Sequence, residues 1–238
     1  QLGVVPCKFF PIKAYYELHI EQGPVLENEN TSIGVVTGGQ GSVWTHITLY
    51  GQGSHAGTTP MEYRKDPMMG ASRIITELRE TIRSHSAAVG TVGRLETYPA
   101  SINTIPGSVF FTVDTRHPNE KILMQINQDL KNIVNSVCSS EGLENEFTNI
   151  SINPTVEFNQ DCVETVRQSA DSLGYSNRDI VSGAGHDACQ VNHVAPTGMI
   201  FIPCEGGLSH DEAENTKPEH VSAGANVLLN SVMASAGA

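Results

Sequence analysis

Between residues 43 and 152 the spacing of apolar side chains changes from two to three-or-four and back again, twice, and few folds accept that order. Val43 to Tyr50 alternates as a strand. The next segment carries Met68, Met69, Ala71, Ile74, Ile75, Leu78 and Ile82 on one helical stripe. Two strands, about Val89 to Tyr98 and Gly107 to Arg116, are joined by a loop containing Asn103 and Pro106. A second helix, from about Asn119 to Ser139, places Ile122, Leu123, Ile126, Leu130, Ile133 and Val137 on one face, and Phe147 to Ile152 reads as a last strand. Each helix has a single apolar stripe, so both are expected to cover one face of a four-stranded sheet.

This β-α-β-β-α-β order is the split βαβ arrangement of ferredoxin-like domains. At roughly 115 residues it is large enough to hold its own core. The flanking sequence is α/β in character. From Ala14 to Gln22, Tyr16, Leu18 and Ile20 alternate with Glu17, His19 and Glu21, and Gly23-Pro24 stops the strand. Ile33 to Thr37 is a second strand, closed by Gly38-Gly39. After Pro154 come a helix near Cys162 to Leu173, strands at Asp179 to Ser182 and Gly198 to Pro203, and a helix from about Pro218 to Ala234. The expected architecture is an α/β domain, residues 1–38 and 154–238, interrupted by an α+β insert at 39–153. The insert's open sheet face or an edge strand offers an oligomerisation surface.

Composition removes several function classes. The 238 residues include 14 basic and 26 acidic side chains, a net charge of −12. Such a chain gains nothing from a phosphate backbone, so nucleic acid is not an expected partner. No apolar run approaches the roughly 18 residues of a membrane span, and no membrane partner is expected. Cys7, Cys138, Cys162, Cys189 and Cys204 are widely spaced with no CxxC pair. They read as free thiols in a reducing compartment, hence a cytoplasmic location. There is no Gly-x-Ser-x-Gly elbow and no phosphate-binding glycine loop that opens a helix.

The histidines are the chemistry-bearing residues. His19 lies just before a strand stop, and His210 follows an apolar strand and the Gly206-Gly207 turn. In open α/β sheets ligands collect beyond the carboxyl ends of strands. Neutral imidazoles there, with carboxylates nearby, suit Zn²⁺ or Mn²⁺; a histidine taken singly is more often an ordinary surface or hydrogen-bonded core residue. His55 sits within Gly51 to Pro60, where small residues let a ligand approach and the imidazole could polarise a carbonyl; a plain glycine-rich turn is the alternative. Asn103 and Arg116 lie at opposite ends of paired strands. Arg116 has the fork geometry for a carboxylate, though surface arginines are commoner. Asp187 beside His186 is either an orienting partner or a helix N-terminal acid.

Six segments, in order, resemble one family. They are Leu18-His19-Ile20-Glu21-Gln22-Gly23-Pro24, Gly53 to Pro60, Asn103-Thr104-Ile105-Pro106-Gly107, Asp114-Thr115-Arg116-His117-Pro118, Ser182 to Asp187, and Leu208-Ser209-His210-Asp211-Glu212. Together they resemble the hydantoinase/carbamoylase branch of the M20 metallopeptidase-like amidohydrolases, which hydrolyse N-carbamoyl-amino acids or allantoate. The resemblance implies an aminopeptidase-like α/β/α catalytic domain interrupted by a ferredoxin-like dimerisation, or lid, domain. It implies two divalent metal ions (zinc, or manganese or cobalt) with His19 and His210 among their ligands. It implies that Gln22, His55, Asn103 and Arg116 bind a small carboxylate-bearing substrate, with a lesser role for His186. It further implies a homodimer in which His55, as a catalytic group, and Asn103 reach the partner subunit's site. Family members carry a His-x-Asp motif, a bridging aspartate and a Glu-Glu pair before the segment equivalent to Leu18 to Pro24. This chain has none of them. It is therefore expected to be the C-terminal part of a longer enzyme, inactive alone. The same scaffold also serves M20 aminoacylases and peptidases, and the insert could act as a dimerisation module without catalysis.

Overall fold

The computed structural model describes residues 11–237. In chain order its first elements are β1 (Tyr15–Ile20), α1 (Val25–Asn28), β2 (Ile33–Gly39), β3 (Gly41–Tyr50), β4 (Ser54–His55), α2 (Pro67–Ser84) and β5 (Val89–Tyr98). Then follow β6 (Thr104–Ile105), β7 (Ser108–His117), α3 (Glu120–Glu141), β8 (Glu144–Asn153), β9 (Val156–Glu157) and α4 (Gln160–Ser172). The last are β10 (Asn177–Ser182), α5 (Asp187–Val191), β11 (Thr197–Ile202) and α6 (Pro218–Ala236). Two compact units are divided at Gly39/Gln40 and Thr155/Val156.

The first unit is built on a five-stranded sheet in the order β1-β11-β2-β10, with β9 paired to β2. β1 and β11 are parallel, as are β2 and β10, whereas β11 and β2 are antiparallel. All six residues of β11 are buried, as a continuous apolar central strand demands. Alternation sorts the side chains. Tyr16 and Leu18 point toward α4 and α6, where Gly198 and Gly224 admit them at close range. Glu17 and His19 point to the opposite face, where α5 packs. Val163, Val166, Ala170, Ala223 and Val227 of α4 and α6 complete the core on the helical side.

The second unit is a four-stranded sheet in the order β5-β7-β3-β8, every neighbour antiparallel, with α2 and α3 on one face. Every second residue of β7 is buried. Val109, Phe111 and Val113 meet Ile74 and Leu78 of α2 and Ile126 and Leu130 of α3. Both helices start on side-chain caps. Asp66 accepts the N–H of Met68 (2.9 Å), with Pro67 in the first turn, and Asn119 accepts that of Ile122 (3.2 Å). α3 ends on Gly142 at φ +64°, the left-handed cap conformation in which glycine has no Cβ penalty.

Candidate active site

Parallel β1 and β11 end at the same edge of the first sheet, with His19 opposite Phe201 and Ile20 opposite Ile202. His19 is half-buried there. Its Nδ1 lies 2.8 Å from the Ile20 carbonyl oxygen. A carbonyl only accepts, so the neutral ring carries its proton on Nδ1 and its lone pair on Nε2. That is the second hydrogen bond a metal-binding histidine ordinarily makes, and the donor chemistry of His19 fits a divalent ion.

The neighbouring carboxylates do other work than the metal ligation their position suggests. Glu21 is buried and accepts the N–H groups of Val25 (2.9 Å) and Leu26 (2.8 Å), closing the start of α1. Glu17 accepts the N–H of Ala188 (2.7 Å) in the first turn of α5 and the Tyr15 hydroxyl (3.1 Å). Asp187 is the first residue of α5 and stands where a helix favours an acid. Among the described residues no three His, Cys, Asp or Glu side chains are grouped to hold a metal ion.

His186 is buried against His19, the ring centroids 4.6 Å apart and edge-on, with Phe201 at 5.4 Å. Its Nε2 lies 2.9 Å from Ser182 Oγ, which also bonds both the N–H and the carbonyl of Ala184 and so shapes the glycine-rich turn. Burial, reinforced by the neighbouring His19 and opposed by Asp187, lowers the His186 pKa from 6.5 to about 4. Glu17 Oε1 is 3.9 Å from Nδ1, but a ring that stays neutral at pH 7 forms no ion pair with it. His186 packs behind His19. Gln22 donates from Nε2 to Ser209 Oγ (2.8 Å), the residue before His210. Gln22 (φ +57°) and His210 (φ +58°) are both left-handed, and His210 is exposed, its N–H bound to Glu214 Oε2 at 3.0 Å.

In the second unit β4 and β6 form a two-stranded ladder that pairs His55 with Thr104, and Ala56 N–H donates to the Asn103 carbonyl (3.0 Å). His55 and Asn103, 48 positions apart in sequence, thus share one exposed loop cluster. Arg64 braces it through the carbonyls of Thr59 (3.0 Å) and Ala56 (2.7 Å). His55 Nδ1 accepts the Gly57 N–H (3.0 Å), so the neutral ring presents Nε2–H outward as a donor. Arg116 is the penultimate residue of β7, at the other end of the strand from this cluster. From Ser108 to Arg116 the strand covers roughly 27 Å. Arg116 is gripped by Asp114, Nη2 to Oδ2 at 2.7 Å and Nε to Oδ1 at 3.1 Å, and this pairing raises its pKa further.

Ser182, Ser209, Glu17 and Arg64 shape these groups. Ser182 and Ser209 lie within two of the six segments marked in the sequence, though their bonding roles were not. No local pattern marks Glu17 and Arg64, which bond backbone groups. Cys138, Cys162, Cys189 and Cys204 are free and buried, and burial pushes each pKa up. Cys7 lies outside the described residues.

The chain is thus a mixed α/β protein with imidazoles and a glycine-rich turn gathered where two parallel strands end. Its sequence matches Peptidase family M20/M25/M40 over residues 4–234, and the chain belongs to that family. It is 44% identical over 225 residues to an N-carbamoyl-L-amino-acid amidohydrolase of Rhizobium meliloti, covering 94% of this chain and 54% of that protein. It is 37% identical over 218 residues to the allantoate amidohydrolase of Escherichia coli (strain K12), covering 91% of this chain and 53% of that one. The crystal structure of a hydantoinase/carbamoylase family amidase from Burkholderia multivorans superposes with a TM-score of 0.93 at 47% identity, covering 98% of this chain and 57% of that chain. The chain therefore spans about half the length of the curated relatives it matches.

Proposed function

We propose that this chain is part of a metal-dependent amidohydrolase that cleaves the carbamoyl or ureido C–N bond of N-carbamoyl-amino acids or allantoate. The observation that carries the reading is His19: a strand-end imidazole with its proton on Nδ1 and its lone pair on Nε2, three residues before Gln22, which is bonded to Ser209 in the loop of His210. His19 and His210 would hold part of a divalent metal centre of zinc, manganese or cobalt. Bound there, the metal would supply Lewis acidity and an activated water. Two imidazoles do not complete such a centre, so the remaining ligands and the general base come from outside this chain. Gln22 would hold the ureido group, with His186 fixing His19 from behind. His55 would donate Nε2–H to the developing oxyanion, Asn103 would orient the substrate beside it, and Arg116 would grip the carboxylate.

The fold reading is an aminopeptidase-like α/β/α catalytic domain interrupted by a ferredoxin-like lid. The strand order β8-β3-β7-β5 and the two compact units support it. The length of β7 supports a homodimer through the lid. One small substrate cannot touch both Asn103 and Arg116 of a single chain, so His55 and Asn103 would serve a second copy. No helix among the described residues is long and apolar enough to cross a membrane, and the buried free thiols suit the cytoplasm.

The complete protein is expected to contain divalent metal and to release ammonia from N-carbamoyl-amino acids or allantoate. Arg116→Ala should raise KM for these substrates about tenfold or more, the loss of a charge-assisted pair, while leaving thermal stability nearly unchanged. Ammonia release with an unaltered KM would remove Arg116 from the site, and a metal-free, inactive protein would remove the function.

A further inference from the structure

The loops that follow β1 and β11 are fastened to each other by backbone ties. Cys204 Sγ donates to the Gly23 carbonyl (3.2 Å), and Gly206 N–H donates to Glu27 Oε2 (2.8 Å). Gly207 lies so close to Pro24 that an added Cβ would sit 2.8 to 3.0 Å from its Cβ, N and Cα. One further tie is of another kind, a side chain to a side chain: Gln22 Nε2 to Ser209 Oγ at 2.8 Å, across 187 positions. The backbone is special at one end of this tie and next to the other. Gln22 and His210, the residue after Ser209, are two of only four non-glycine residues with positive φ among those described, a conformation that persists where surrounding contacts over-determine it.

We propose that Ser209 is a positioning residue: its hydroxyl anchors the Gln22 amide and ties Gln22 to the loop that carries His210. This rests on the proposed reading of Gln22 as a ureido-binding group. A hydroxyl both donates and accepts, so it can hold either end of the amide. What it fixes is the place of the side chain, with one amide end committed to Ser209 and the other left for a ureido group. Without the hydroxyl the Gln22 side chain regains rotamer freedom and must be ordered again at each encounter. The same bond holds the backbone of residue 209 against the β1 loop, so the register of His210 and the direction of Gln22 are set together.

The test uses the complete protein with Ser209→Ala, Ser209→Thr, Gln22→Ala and the double variant Gln22→Ala/Ser209→Ala. Its readouts are kcat and KM with an N-carbamoyl-amino acid, metal content, and the ¹⁵N resonances of the Gln22 side-chain amide in metal-free protein. Loss of one neutral hydrogen bond corresponds to a fall of about tenfold in kcat/KM for Ser209→Ala. Ser209→Thr, which keeps the hydroxyl, should stay within about twofold on the same reasoning. Metal content should hold, and Ser209→Ala should add no further loss in the Gln22→Ala background. The Gln22 amide signals should move in Ser209→Ala and not in Ser209→Thr. Wild-type kcat/KM in Ser209→Ala, losses that multiply in the double variant, or loss of metal together with folding would each overturn the proposal. Should wild-type protein hydrolyse no ureido substrate, the function reading fails by itself. The coupling is then decided by the amide resonances, which overturn it if Ser209→Ala leaves them unmoved.

Discussion

Burial is what sets the behaviour of His186. The side chain is 2% exposed, with His19 on one edge, Phe201 on another and Ser182 at Nε2. Lowering its pKa to about 4 means that the unfolded chain binds a proton between pH 6.5 and 4 that the folded chain refuses. Stability is therefore full above pH 6.5 and is lost as pH falls through that window, by at most about 3 kcal/mol. Wild-type protein should accordingly lose about 2 kcal/mol more than His186→Gln between pH 7 and pH 5, read from urea midpoints at each pH. Equal losses would mean that the imidazole opens to water and is available to a ligand. Little of this was legible beforehand. The sequence marks His19 and His210 as chemistry-bearing by their place at strand ends, and His186 only as the neighbour of Asp187 and through the family resemblance. That His186 stands behind His19 depends on β10 and β1 sharing a sheet, which no local pattern reveals. The carboxylates misled for the same reason. Glu17 and Glu21 alternate with His19 on one strand face, but their partners are backbone N–H groups that appear only once α5 and α1 have packed.

At the level of the elements, periodicity was a good guide wherever a strand or helix buries one face. The stripe of Ile74, Leu78 and Ile82 forms α2, and the expected strand Val89 to Tyr98 has the observed bounds of β5. The short elements escaped. β4, β6 and β9 have two residues each, and they exist because a distant segment offers its backbone, not because of side-chain alternation. β9 sets a sharp condition on β2. An added Cβ on Gly38 would lie 2.1 Å from the Val156 carbonyl oxygen, a backbone atom that cannot move without breaking the β2–β9 pair. Gly38→Ala should thus cost about 3 kcal/mol. Gly93, in the edge strand β5, has nothing within 4 Å of such a Cβ. Gly93→Ala should be neutral, or stabilise by up to about 1 kcal/mol through the unfolded chain. Denaturant midpoints of the two variants decide it, and equal effects would show that the close approach at Gly38 is not rigid.

On the scale of the whole molecule, the two units differ in how their chains are connected. In the first, β1 and β2 lie before the insert, while β10 and β11, their parallel partners, lie after it. That unit cannot close until residues more than a hundred positions apart have met, a loop whose cost grows only slowly with length. The second unit is continuous. Its first and last strands pair directly, Ser42 with Asn153, so its ends are neighbours. Its core draws on its own residues, among them Phe111, Ile74 and Leu130, and both of its long helices carry their own caps. Residues 40–155 expressed alone should therefore fold cooperatively, with mixed helix and strand circular dichroism. A single urea transition is expected, with a slope in the range of about 1–3 kcal/mol per molar for a domain of this size. The face opposite the helices exposes Trp44 and Ile150, so the isolated unit should also self-associate as concentration rises. A broad, non-cooperative melt would mean that its core needs the flanking sheet. In that case the β-α-β-β-α-β pattern, which alone suggested an independent insert, would mark a motif and not a domain.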